Sequence, residues 1–104
     1  MTSEVLAALD KLVVDKKLES KALEGARQWA ASSDFDIENA KTSQFVYELY
    51  ACNLCFKHEF RAAPYIEVVL NITFDDNDVG YYCWVTDITG EVIDDRMVIT
   101  DETL

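Results

Sequence analysis

Cys52-x-x-Cys55-x-x-His58 is the one segment of this chain whose residue types and spacing suggest reactive chemistry. Cysteine and imidazole are good zinc ligands, C-x-x-C is a common half-site, and Cys83 would supply a fourth donor. The surroundings weaken that reading. Zinc half-sites favour tight turns, whereas this segment lies in an apolar run with helical spacing. On a helix Cys52 neighbours Cys55, and Cys55 neighbours His58, but Cys52 and His58 stand almost two turns apart. A thioredoxin-like C-x-x-C would follow a strand and open a helix, and this one does neither. Cys55 and His58 can also be read as nucleophile and base. His58 is the only histidine, and no Asn or Asp is placed to orient its ring. What remains is the ordinary role of free cysteines, which is to act as small core hydrophobes. We assign no catalytic residue, metal ligand or cofactor. Cys52, Cys55, His58 and Cys83 are kept as the lining of a pocket between a third helix and a sheet.

The carboxylates offer a second chemistry. A calcium loop opening at Asp75 would place Asn77 third and Gly80 sixth, as an EF-hand requires. It would also put Val79 fifth and Thr86 twelfth, where the ion needs an oxygen ligand and a bidentate Glu. The pattern fails at two ligands. Nucleotide-binding loops are absent, because Gly25, Gly80 and Gly90 are scattered. Paired carboxylates such as Asp94-Asp95 are too common in an acidic chain to signal acid–base work. Electrostatic recognition is the reading left. The net charge is -11. Residues 1–31 are neutral, residues 32–61 carry -2, and residues 62–104 hold ten acids against Arg96 alone. Asp75, Asp76 and Asp78 crowd one turn, while Asp87, Glu91, Asp94 and Asp95 gather at another. Such charge serves solubility, and it also speeds encounter with a basic partner and fixes its orientation.

The elements that must position these groups change character along the chain. Ser3 can cap a first helix, and Val5, Leu6, Leu9, Leu12 and Val13 recur at helical spacing. Ser20 can cap a second, with Ala22, Ala26, Trp29 and Ala30 forming a narrow stripe. Whether these are two helices or one bent helix is open. Residues 32–41 read as a connection, with a short turn at Asp36 to Ala40. Phe45, Leu49, Cys52, Phe56 and Phe60 then repeat at helical spacing behind Thr42 or Ser43, and predict a third, buried helix.

Pro64 marks the switch, since the residue before a proline is pushed out of the α region. Beyond it Ile66, Val68, Leu70, Ile72 and Phe74 alternate with Tyr65, Glu67, Val69, Asn71 and Thr73, the clearest strand in the chain. Asp75-Asp76-Asn77-Asp78 reads as a turn. Strands follow at about Gly80 to Asp87 and Glu91 to Ile99. Ile88-Thr89-Gly90 is a three-residue hairpin loop with Gly90 left-handed. That register sets Val85 opposite Ile93 and Tyr81 opposite Met97. It turns Tyr82 and Trp84 to the uncovered face with Tyr65 and Val69, and those four form the expected interface. A one-residue slip would exchange the faces.

The expected fold is one α+β domain over residues 1–104. About three N-terminal helices (helical half 1–61) pack on one face of a three-stranded antiparallel β-meander (sheet half 64–100). Its size suits a single domain of roughly 100–150 residues, and with 50% hydrophobic residues it can build a core. Acidity excludes a phosphate-gripping nucleic-acid binder and disfavours anionic membranes. No apolar run approaches the ~20 residues that span a bilayer. Three cysteines are an odd set for a disulfide framework and point to a reducing cytoplasm. In its order of elements the chain resembles small immunity proteins and, more loosely, NTF2-like domains, although it is short for the latter. The expected function is a small acidic cytoplasmic interaction module, homodimeric, that binds a basic protein through its sheet half. The alternative is a small ligand-binding or enzymatic domain using the pocket beside helix three.

Overall fold

The computed structural model describes residues 2–32, 37, 39–57, 59, 61 and 63–101. Helices α1 (Thr2–Asp15), α2 (Leu18–Ala30) and α3 (Asn39–Thr42) precede strands β1 (Val46–Cys55), β2 (Tyr65–Phe74), β3 (Asn77–Asp87) and β4 (Val92–Ile99). The strands form one antiparallel sheet in the order β1-β2-β3-β4. The α+β class and the N-terminal helices on an antiparallel sheet are as expected. The strand count is not, because the sheet has four strands rather than three.

The error lies at residues 45–60, where the expected third helix is β1. A β-bulge explains the misleading spacing. Leu49 pairs with Leu70 and Ala51 with Val69, so Tyr50 is the extra residue. An inserted residue shifts the phase of the alternation. Tyr47 and Leu49 share the helix side before the bulge, and Cys52 and Leu54 share it after. The apolar residues therefore fall at a mixed spacing that imitates a helix. The third helix is instead the four-residue α3, where only a short turn was expected. The expected helical half thus contains a strand.

Helices α1 and α2 are separate. Lys17 adopts left-handed backbone (φ 53°) at their corner, so α2 begins at Leu18 and Ser20 is inside it. Leu18, Ala22, Gly25, Ala26 and Ala30 give α2 a buried face of mostly small residues. It lies on Ile66, Val68, Leu70 and Ile72 of β2 and on Tyr82 of β3 to form the core. Burying each large aliphatic side chain here stabilises the fold by about 1.5–3 kcal/mol. Among the described residues, α1 and β1 contribute none that is fully buried. Val5, Leu6, Leu49 and Leu54 stay exposed.

The first hairpin turn is tighter than the expected Asp75-Asp76-Asn77-Asp78, because Asn77 and Asp78 already belong to β3, which was expected to start near Gly80. Phe74 pairs with Asn77, leaving a two-residue loop, and Asp75 and Asp76 both have positive φ (53° and 64°). Such tight turns favour that geometry because their twist matches the strands. At the other end Gly90 is left-handed (φ 91°), as expected, and the Lys16 side chain packs directly upon it. The register beyond it differs from expectation. Thr86 pairs with Val92 but Val85 pairs with Asp94, so Ile93 is bulged, and Tyr82 rather than Tyr81 faces Met97.

Candidate functional site

Pairing assigns each strand residue to a side. Ile66, Val68 and Leu70 face the helices, and their partners Thr86, Trp84 and Tyr82 face the same way. Tyr65, Glu67, Val69 and Asn71 face the open side, together with their partners Asp87, Val85, Cys83 and Tyr81. Arg96 pairs with Cys83 and joins the open side. Of the four residues expected to share an interface, Tyr65 and Val69 therefore lie on the open face. Tyr82 and Trp84 lie beneath α2. The physical reason is that β3 is apolar on both faces, so hydrophobicity alone could not choose its orientation. A signal did exist in α2. The small residues Ala22, Gly25 and Ala26 leave room for large rings. A Cβ on Gly25 would come within 2.5 Å of the Tyr82 hydroxyl and 2.6 Å of the Trp84 ring.

The helix side is a packed structural site. Tyr82 is 0% exposed and donates its hydroxyl to Asp95 at 2.6 Å. Burial and that carboxylate push the phenol far above its ordinary range. The Trp29 and Tyr82 rings meet edge to face, 6.5 Å apart. The buried Trp84 indole N–H finds no acceptor among the described residues, which costs about 1–3 kcal/mol.

On the open side Tyr50, Glu67, Val69, Asn71, Tyr81, Cys83 and Arg96 line a groove of about 340 Å³. Arg96 on β4 reaches across β3 toward Glu67 on β2, with 3.8 Å between guanidinium and carboxylate. Cys83, the β3 partner of Arg96, and Val85, the β3 partner of Glu67, are each only 1% exposed. Asn71 donates to Asp78 at 2.8 Å, and Glu48 is its partner on β1. Among the described residues, Glu67 lines the groove and Glu48 and Asp78 stand beside Asn71 at its edge, against the guanidinium of Arg96.

The cysteines are not brought together. Cys52 is on the helix side, in a shallow apolar hollow between α1 and β1. Cys55 ends β1 on the open side and donates its thiol to the Lys57 carbonyl at 3.2 Å. Cys83 is in the middle of β3. Burial raises the Cys83 thiol, with Glu67 adding to the shift and Arg96 opposing it. Burial also raises Cys52, reinforced by Glu19 and Asp10. Both are thereby less available as thiolates. His58 lies outside the described residues. The pocket expected between helix three and the sheet loses its helix, since that segment is β1. Among the described residues no three His, Cys, Asp or Glu side chains gather as a metal site.

The seven acids singled out divide between the two ends of the sheet, along β3's 11 residues, or about 35 Å. Several have work inside the fold. Asp87 accepts from the Thr89 hydroxyl at 2.5 Å and from the backbone N–H of Thr89 and Glu91. Those bonds, the hydroxyl first, hold its carboxyl below the usual range. Asp94 pairs with Arg61 at 3.1 Å, Asp95 takes Tyr82, and Asp78 takes Asn71. Arg61 also stacks 5.0 Å from the Tyr65 ring. Asp75 and Asp76 form the β2–β3 turn, and Glu91 follows the β3–β4 loop.

Sequence reasoning missed Tyr50, Glu67, Asn71, Tyr81 and Arg96 as one set. The bulge hid Tyr50, and the inverted assignment of β3 turned Tyr81 toward the helices, whereas Arg96 was already expected on the uncovered face, and it lies there. The alternation of β2 had already set Glu67 and Asn71 on the face of Tyr65 and Val69, as the pairing shows. Among the described residues, no helix is long and apolar enough to cross a membrane. The chain matches no known family model, no curated protein and no solved structure.

Proposed function

We propose that this chain is a small protein-interaction module whose sheet half receives a basic partner. The observation that carries the reading is the open face of the sheet. It has a groove walled by two tyrosines and edged by Glu48, Glu67 and Asp78, in a chain of net charge -11. A field of that sign draws cationic partners and speeds their encounter. Asp75, Asp76 and Glu91, at the two ends of the sheet, extend the charge beyond the groove. Asp78, Asp87, Asp94 and Asp95 contribute to the field while serving as internal acceptors.

Homodimerisation and a reducing cytoplasmic setting belong to the same proposal. The first is supported by β1, an edge strand of ten residues whose single charge is Glu48. An edge so lightly guarded is a template for a second strand. The odd cysteine number supports the second. No reaction is proposed.

Selection of displayed random peptides on the immobilised chain tests the partner chemistry. The expected result is enrichment in Lys and Arg. Binding should fall steeply toward ~1 M salt, where the Debye length shrinks to about 3 Å. Salt-insensitive selection of neutral peptides overturns the reading. Sedimentation of the chain and of Leu49→Lys tests the dimer. The variant should be monomeric where the parent is dimeric, and a monomeric parent removes that part of the proposal.

A further inference from the structure

The open-face groove has more specific chemistry than its acidity. Tyr50 projects from β1 and Tyr81 from β3, on either side of β2. Their strands lie about 9.6 Å apart, two strand spacings. Val69 forms the floor between them. Tyr50 is 76% exposed, and its bulged position turns it to the same side as Ala51, over the groove. Tyr50 and Tyr81 both line the groove above this apolar floor, so a side chain that enters it has aromatic surface within reach. At one end of this slot Asn71 is flanked by Glu48 across the β1–β2 pair and by Asp78, which it holds at 2.8 Å. At the other end Arg96 and Glu67 largely cancel. The slot is thus aromatic at its sides, apolar below and negative at the Asn71 end.

We infer that this slot takes an arginine side chain of the partner. Its aliphatic stem rests on Val69, its guanidinium stacks between Tyr50 and Tyr81, and its charge points toward Glu48 and Asp78. The inference rests on the basic-partner reading above and names the residue that anchors it. Arginine fits better than lysine because its planar, weakly hydrated cation stacks on aromatic rings and forks toward carboxylates. An anion is disfavoured at the Asn71 end by two carboxylates. Among the described residues that line the groove, Arg96 is the one that opposes a cation.

That opposition makes the test sharp. Acetyl-arginine-amide is titrated into the labelled chain, with acetyl-citrulline-amide as the uncharged control, and backbone amide shifts are followed. The expected result is that shifts centre on Tyr50, Val69, Asn71 and Tyr81 with arginine and vanish with citrulline. Tyr50→Ala and Tyr81→Ala each weaken binding about tenfold. Glu48→Gln and Asp78→Asn each weaken it about threefold, and Arg96→Gln tightens it by a similar factor. Three results overturn the inference: weaker binding in Arg96→Gln, equal shifts with citrulline, or shifts confined to Asp75, Asp76 and the β3–β4 loop. Tyr50 is the variant to trust for folding, since its side chain is mostly in water. If selected peptides are basic yet compete with arginine at none of these residues, the slot is wrong and the module reading stands. If no basic peptide is selected, the module reading itself fails.

Discussion

Tyr81 and Tyr82 are consecutive residues of β3 in opposite environments. Tyr82 is sealed under α2, with its hydroxyl on Asp95 and its ring against Trp29. Tyr81 borders an open groove among Glu67, Asn71 and Arg96. The difference comes from what covers each side. Two helices laid on one face of a four-stranded sheet leave the other face to its own side chains. The helix side therefore holds the fold together, and the open side is available for recognition. Substitutions on the two sides should separate stability from binding.

The largest effect is expected from Gly25→Val. Its side chain would overlap the Tyr82 hydroxyl and the Trp84 ring, and overpacking of that kind costs about 3 kcal/mol. The urea midpoint measures it. A loss below about 1 kcal/mol would mean that α2 can lift off the sheet, and the contrast between the faces would weaken. Tyr82→Phe should cost about 2 kcal/mol, because it strips a hydrogen bond from a carboxylate held in the fold. Tyr81→Phe should be within about 0.5 kcal/mol of the parent. Equal losses in this pair would break the comparison.

A fourth change serves as a control that touches neither face. Asp76 holds a positive φ that glycine adopts freely, so Asp76→Gly should stabilise the chain by about 1 kcal/mol. Its effect on arginine binding should be negligible, which shows whether stability alone moves the groove.

The smallest expected effect is one of pH. Asp87 has its carboxyl depressed by the Thr89 hydroxyl and the loop N–H groups. A depressed carboxyl contributes stability that is present above its unfolded pKa, near 4, and is lost as pH falls through the lower folded value. Asp87→Asn should therefore flatten the acid limb of the stability curve, followed by denaturant midpoints. An unchanged acid limb would place the acid sensitivity elsewhere.

Much of the fold was legible wherever local signals agreed. β2 was read at its full length because Ile66 to Phe74 alternates without interruption and Pro64 marks its start. Gly90 and the presence of a turn at Asp75 were legible because few residue types accept left-handed backbone, although Asn77 and Asp78, read as part of that turn, belong to β3. β1 was not legible. Its bulge at Tyr50 shifts the alternation by one residue, and the resulting spacing of Leu49 and Cys52 copies a helix. The groove was hidden for the same reason, compounded by the inverted orientation of β3, which turned Tyr81 toward the helices.

The sequence by itself determined the charge of this protein, the direction in which that charge rises along the chain, and the turns that close the sheet. These depend on residue type and nearest neighbours. Only the tertiary structure decided which side of β3 faces the helices. Both sides are apolar, so the choice falls to a long-range fit, in which the small residues of α2 accept Tyr82 and Trp84. By placing those two rings inside, that fit leaves Tyr81 on the side that meets the solvent, where the bulge of β1 also turns Tyr50.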